Sequence, residues 1–194
     1  MFFDHPKSLI FVHNPKTGGR SIIKFLGLDD SEPFRFAHAP SELIRKKFFQ
    51  SDWDKFFSFA FVRNPWERYA SLYRFQRSPA YAAMMGNNFS AVIAARFDLN
   101  EWVEFNARSE TKSNWFGMDQ QLWWRGVSKV YRFDQLAEAR EALANRFGTT
   151  GALPHENSTP SHRGMGSADF TDRSMSIIAD LDRATIEEFG FVPD

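Results

Sequence analysis

The chain has 194 residues, 43% hydrophobic and 25% charged, and its 24 Lys plus Arg balance 24 Asp plus Glu to a formal charge of zero. That length suits one domain, 1–194, with a sizeable core, and the even charge excludes a general attraction to nucleic acid, so any anion preference must be local. The absence of cysteine excludes disulfides, thiolate catalysis and cysteine-ligated zinc, and no apolar run reaches the ~18 residues that a membrane helix needs.

In chain order, Met1–Lys7 lacks the apolar region of a signal peptide and places His5 at a frayed start. Leu9-Ile-Phe-Val12 follows, four apolar residues that predict a buried parallel strand. A compact turn, His13-Asn-Pro-Lys-Thr-Gly-Gly-Arg20, then leads to Ser21–Leu26, the predicted start of an amphipathic helix that Gly27 ends. A strand, a glycine turn and a helix in that order aim backbone N–H groups and a positive helix end at one spot, which suits a phosphate. Lys16 precedes Gly18 and Gly19, whereas the nucleoside-triphosphate signature places its lysine after the glycines.

Asp29–Ala39 reads as a loop, with His38 between Pro33 and Pro40. Ser41–Phe49 predicts a helix with Leu43, Ile44 and Phe48 on its buried face. Phe56–Val62 predicts a second buried strand, and Asn64-Pro65 is a helix start, Asn as cap and Pro as first residue, for a helix through Phe75. Ala80–Asn88 reads as a loop. Asp98 caps a predicted helix around Leu99–Phe105, and Gly117–Trp124 suggests a short helix. Lys129–Phe133 predicts a third strand, after which Asp134 caps a helix over Gln135–Phe147 with a core stripe of Leu136, Ala139, Leu143 and Phe147. A last helix is predicted from Thr171 to Glu188.

Two stretches carry a family resemblance. Pro15-Lys-Thr-Gly-Gly-Arg-Ser21 resembles the 5′-phosphosulfate loop of the sulfotransferases, closest to the carbohydrate O-sulfotransferase branch. Phe61-Val-Arg-Asn-Pro-Trp-Glu-Arg-Tyr-Ala-Ser-Leu-Tyr73 is similar to the same family's 3′-phosphate motif at every fixed position. The resemblance implies an α/β three-layer sandwich with a mostly parallel central sheet, a P-loop-like nucleotide-binding fold. It implies an enzyme that moves a sulfuryl group from 3′-phosphoadenosine 5′-phosphosulfate to an acceptor hydroxyl of a carbohydrate or small molecule, leaving adenosine 3′,5′-bisphosphate, with no metal.

On that resemblance Lys16 is catalytic, and Lys16, Thr17, Gly18, Gly19, Arg20 and Ser21 hold the 5′-phosphosulfate. Arg63 and Ser71 take the 3′-phosphate, and Arg163 with Gly164 forms a lid over it. Arg68 reads instead as a structural ion pair or a solvated face. Arg20 departs from the family's usual threonine, adding a charge that strengthens donor binding or faces outward to an anionic acceptor. The family's secretory members carry a membrane anchor, and without one this chain is expected to be cytoplasmic.

A sugar hydroxyl needs a base, His or carboxylate, at neutral pH. His38, between the two motifs, stands where the carbohydrate branch places its catalytic histidine. His13 reads as a brace for the loop, and Glu42, His13, His155 and His162 remain alternatives for the base. The family often has a glutamine near Gly117–Trp124, which implies that Gln120 or Gln121 faces the cleft. Two other readings stay open: a non-catalytic module that binds the same donor, and a P-loop kinase-like nucleotide enzyme. The second is disfavoured because no Gly-Lys-Ser/Thr end and no strand-ending Asp for magnesium is present.

Overall fold

Leu9–Val12 and Phe57–Val62 pair in parallel at the centre of a four-stranded sheet in the computed structural model, which describes residues 1–28, 37–86, 88–152 and 165–193. The chain divides into two compact units, Met1–Arg63 with Gln120–Ser161, and Asn64–Asp119 with His162–Asp194. The first opens with β1 (Phe2–Asp4), β2 (Leu9–Val12), α1 (Gly19–Leu26), α2 (Ser41–Ile44) and β3 (Phe57–Val62). The second contributes α3 (Pro65–Gln76), α4 (Pro79–Met85), α5 (Phe89–Arg96) and α6 (Leu99–Arg108). The chain then returns to the first unit for α7 (Gln121–Trp124), β4 (Lys129–Arg132) and α8 (Leu136–Phe147), and ends in the second with α9 (Asp172–Leu181) and α10 (Arg183–Phe189).

In the first unit the strand order is β1-β2-β3-β4, with β2–β3 and β3–β4 parallel and only β1 antiparallel. This is the expected α/β arrangement, a mostly parallel central sheet flanked by helices. Strand residues alternate between faces. Leu9, Phe11, Phe59 and Phe61 form one core with Ile22, Phe25 and Leu26 of α1 and Ala139 and Leu143 of α8, and Leu136 and Phe147 pack at its margin as the stripe required. Ile10, Val12, Ala60 and Val62 point the other way and are equally buried, which explains why both central strands are apolar throughout but for Ser58, whose buried hydroxyl meets that of Ser128 at 3.1 Å.

Three expectations for this unit need correction. The start of the chain is not frayed: β1 extends the sheet, and the His5 ring packs edge-on against Phe3 and Phe56 at 5.1 and 5.3 Å. Its three residues were too few for a periodic signal. The helix expected over Ser41–Phe49 changes winding, from α in α2 to a π-helical turn over Arg45–Phe49. With a spacing of five, Ile44 faces inward as expected and Phe49 joins it, while Leu43 and Phe48, expected on the same face, are 45% and 40% exposed. Asp134 does not cap α8; it lies in a 3-10 turn, Phe133–Gln135, and its carboxylate accepts from the Arg132 guanidinium at 2.7 and 3.0 Å.

In the second unit α3 begins as expected, the Asn64 side chain accepting from the Trp66 N–H and Pro65 leading the helix. Ala80–Asn88, expected as a loop, contains α4, capped by Ser78, and Asn88 caps the start of α5. Each helix is too short to show a period, and only its cap marked it. Asp98 and Glu101 close a capping box on α6.

The single helix expected from Thr171 to Glu188 is two, broken at Asp182. Asp182 is 0% exposed and Arg68 1%, and their side chains pair at 3.3 Å, so Arg68 is indeed a structural ion pair. The same guanidinium donates to the Met118 carbonyl. Burial and the Asp182 charge push the neighbouring Tyr69 hydroxyl well above its ordinary pKa, keeping it a neutral partner for the Gly117 N–H. Among the described residues no helix is long and apolar enough to cross a membrane.

Removing one partner of a buried ion pair typically costs about 3–5 kcal/mol, because the other charge stays behind without it. Asp182→Ala should therefore lower the free energy of unfolding in urea by that amount, and Arg68→Met with Asp182→Leu together should recover most of it. A double variant no better than the single one would show that shape, not charge, holds the break.

Candidate active site

The turn after β2 is shaped by two residues with left-handed backbone, Lys16 at φ 69° and Gly18 at φ 75°. Two such residues in alternation curl the chain so that successive N–H groups face one concavity, a nest suited to an anion. Glycine adopts this conformation freely, whereas Lys16 holds it at a cost of order 1–3 kcal/mol. Strain of this kind is retained where a loop has a task.

The glycines are also required by close approach. A Cβ on Gly18 would lie 2.7 Å from a ring carbon of Phe133, and one on Gly19 would lie 1.9 Å from Nε2 of His13. Gly18 caps α1, whose first turn carries no acidic residue, so the positive helix end is not neutralised there. Thr17 is buried and its hydroxyl donates to the Asn14 carbonyl at 2.8 Å, bracing the turn from inside. Ser21 is buried in the first turn of α1, and Arg20 beside it is exposed.

One amide ties this turn to the end of β3. Gln120, expected to face a cleft, is instead 0% exposed. Its Oε1 accepts from the Arg63 N–H and from Asn14 Nδ2, both at 3.0 Å, and its Nε2 donates to the Arg63 carbonyl at 2.8 Å. Asn14 Nδ2 also donates to the Phe61 carbonyl at 3.0 Å. The backbone partners fix which end of each amide is which. Arg63 is thereby clamped through its main chain. Its guanidinium lies over the Phe133 ring, 4.6 Å from the centroid, and Nη1 reaches the Lys16 carbonyl at 3.5 Å.

His38 stands on the other side of the same turn. Its Nδ1 lies 3.1 Å from the His13 carbonyl. A carbonyl only accepts, so Nδ1 carries the proton and the basic lone pair is on Nε2. The His13 and His38 rings are 4.3 Å apart, and the Trp123 indole N–H donates to the His38 carbonyl at 2.9 Å. Burial lowers His38 to a pKa of about 4, with the Lys16 and Arg20 charges adding to the effect. Burial also lowers His13 well below the ordinary histidine range. Both imidazoles are neutral at pH 7. His13 stacks on Phe11 and abuts Gly19, which makes it the brace that its position suggested.

The first unit thus brings together Lys16, Thr17, Gly18, Gly19, Arg20, Ser21, His38 and Arg63. Ser71 belongs to the second unit, half-buried on α3. Glu42 is exposed and paired with Lys46 at 3.1 Å. Arg163 and Gly164, like His155 and His162, lie outside the described residues. Sequence reasoning missed Asn14 and Phe133 altogether. Phe133 could be read only as the last residue of a strand, and nothing local distinguished Gln120 from Gln121.

The model of the sulfotransferase family matches residues 1–187. No curated protein and no solved structure matches the chain.

A methyl group at Gly19 must displace the His13 ring, and overpacking of this kind typically costs about 1–3 kcal/mol. Gly19→Ala should lower stability by that amount in the wild-type background and by much less in His13→Ala, where the space is open. Equal costs in both backgrounds, measured by denaturant unfolding, would remove His13 as the reason for this glycine.

Proposed function

The chain belongs to the sulfotransferase family, and from that membership we propose that its donor is 3′-phosphoadenosine 5′-phosphosulfate and its acceptor a carbohydrate or small-molecule hydroxyl. Membership itself gives the reaction class, sulfuryl transfer to an acceptor hydroxyl. The single observation that carries the donor reading is the nest at the start of α1, whose two glycines leave no room for a side chain, with the Arg63 guanidinium beside the Lys16 carbonyl.

In this reading the N–H groups from Lys16 to Ser21 and the Lys16 ammonium hold the 5′-phosphosulfate. Arg63 forks onto the 3′-phosphate, a group that ATP lacks. The motif's family role assigns Ser71 to the same phosphate, and the resemblance of the later loop to the family's closing loop assigns Arg163 and Gly164 to a lid over it. Thr17 supports the loop from behind, its hydroxyl proton being given to Asn14. Arg20, exposed, offers its charge to the acceptor side.

His38 Nε2 takes the acceptor's proton as the new oxygen–sulfur bond forms. The bond between sulfur and the bridging oxygen breaks, and Lys16 with the α1 N–H groups stabilises the charge that grows on the departing phosphate. The His13 carbonyl keeps His38 in the required tautomer. A base with a pKa of about 4 is weak; burial is the main cause, and an anionic donor would offset the smaller part that the Lys16 and Arg20 charges add. The bound state should therefore titrate higher than the free one.

The histidine form that works is the neutral one, so activity falls as pH drops through its pKa. The acid limb of kcat/KM, which reports the free enzyme, should lie near pH 4 rather than in the ordinary histidine range. The acid limb of kcat should lie at higher pH. His38→Ala should reduce turnover of labelled donor by about 10²–10⁴-fold, and Lys16→Ala should reduce kcat by more than it weakens donor binding. A His38→Ala enzyme with full turnover and an unchanged pH profile would end the base assignment. A Lys16→Ala effect confined to donor KM would make Lys16 a phosphate anchor only.

A further inference from the structure

Phe133 meets both halves of the proposed donor site at once. Its ring edge lies where a Gly18 side chain would be, with ring carbons 2.7, 3.3 and 3.8 Å from the position of a Cβ. Its π surface carries the Arg63 guanidinium at 4.6 Å from the centroid. One side chain thus touches the glycine turn and this arginine together. Gln120 joins the same two segments through their main chain and amides, but it fixes only the backbone of Arg63. The guanidinium, several rotatable bonds out, needs its own support.

The local chain explains how Phe133 comes to be there. β4 ends at Arg132, and the chain turns at once into the 3-10 segment Phe133–Gln135. The Arg132 guanidinium bridges to the Asp134 carboxylate through two hydrogen bonds, clipping the turn that carries Phe133. Each partner holds the other charged: the Asp134 side chain raises Arg132, and the Arg132 side chain lowers Asp134. The ring is half-buried, so it is packed by its neighbours yet lies at the surface of the site.

We propose that Phe133 is a positioning residue for donor recognition, holding the Arg63 guanidinium by cation–π stacking at a set distance from the Gly18 turn. The inference rests on the donor reading above and deepens it. A planar cation on a ring keeps its five N–H groups in one plane and its rotamer entropy low before the anion arrives. Without the ring, Arg63 keeps its Lys16 carbonyl contact but loses the stacking that sets its plane, and more of its ordering falls on the ligand. The effect is specific to the phosphate Arg63 takes. Ligands that bind through the glycine turn alone should scarcely register the ring.

The test uses calorimetry on the full chain with two probes, adenosine 3′,5′-bisphosphate and AMP, which lacks the 3′-phosphate. Phe133→Leu should weaken the bisphosphate about 3- to 30-fold while changing AMP affinity less than twofold. Phe133→Tyr, which keeps the π surface, should bind both probes as wild type does. In an Arg63→Ala background, Phe133→Leu should add no further loss. A Phe133→Leu protein that binds the bisphosphate as tightly as wild type, or loses both probes equally, overturns the inference alone. So does an undiminished Phe133 effect in the Arg63→Ala background. Wild-type protein that binds neither probe overturns the donor reading and this inference with it.

Discussion

Three hydrogen bonds from the buried amide of Gln120 hold the chain leaving β2 against the chain leaving β3. Parallel strands put their C-terminal ends side by side, and ligands of such sheets gather there. A sheet sets that adjacency only to within the slack of its loops. The Gln120 amide, with Asn14 Nδ2 reaching on to the Phe61 carbonyl, removes the slack for the residues that follow. An amide so enclosed must satisfy its donors and acceptor within the protein. Satisfying them specifies the path of both turns.

Around that clamp the electrostatics are one-sided. Lys16, Arg20 and Arg63 approach the start of α1, where backbone N–H groups add their own positive field and the first turn offers no carboxylate. The two histidines nearby contribute no opposing or further charge, because burial keeps them neutral. A site of this kind favours an anion and leaves a neutral imidazole in place to accept a proton. Preorganisation is the common theme: strained Lys16, two glycines without room for a side chain, and an arginine laid on a ring. Each is arranged by folding, so the ligand does not have to arrange it.

Much of this was legible wherever the signal was local. The strand Leu9–Val12, the Asn64-Pro65 helix start, the Asp98 cap and the Gly27 stop follow from runs and caps within a few residues. The glycine turn and Arg63 were legible as motifs. What escaped depends on distant partners. Gln120 acts on residues about 57 and 106 positions away, so nothing in its neighbourhood marks it. Phe133 looks like any strand residue until the sheet places it by Gly18. The π turn brings Phe49 rather than Leu43 and Phe48 to the inner face beside Ile44, and the break at Asp182 is where the buried Arg68, 114 residues back, finds its partner. Short helices such as α4 and α5 lack the length to show a period.

The central claim is that the turn at Lys16–Ser21, with Arg63, recognises a nucleotide bearing both a 5′- and a 3′-phosphate. Thermal unfolding of the wild-type protein in the presence of a metal chelator tests it most directly. Adenosine 3′,5′-bisphosphate should raise the midpoint in proportion to its logarithmic concentration, as a ligand of the native state does, and ATP should not. A midpoint unmoved by the bisphosphate, but raised by ATP once magnesium is restored, would contradict the account.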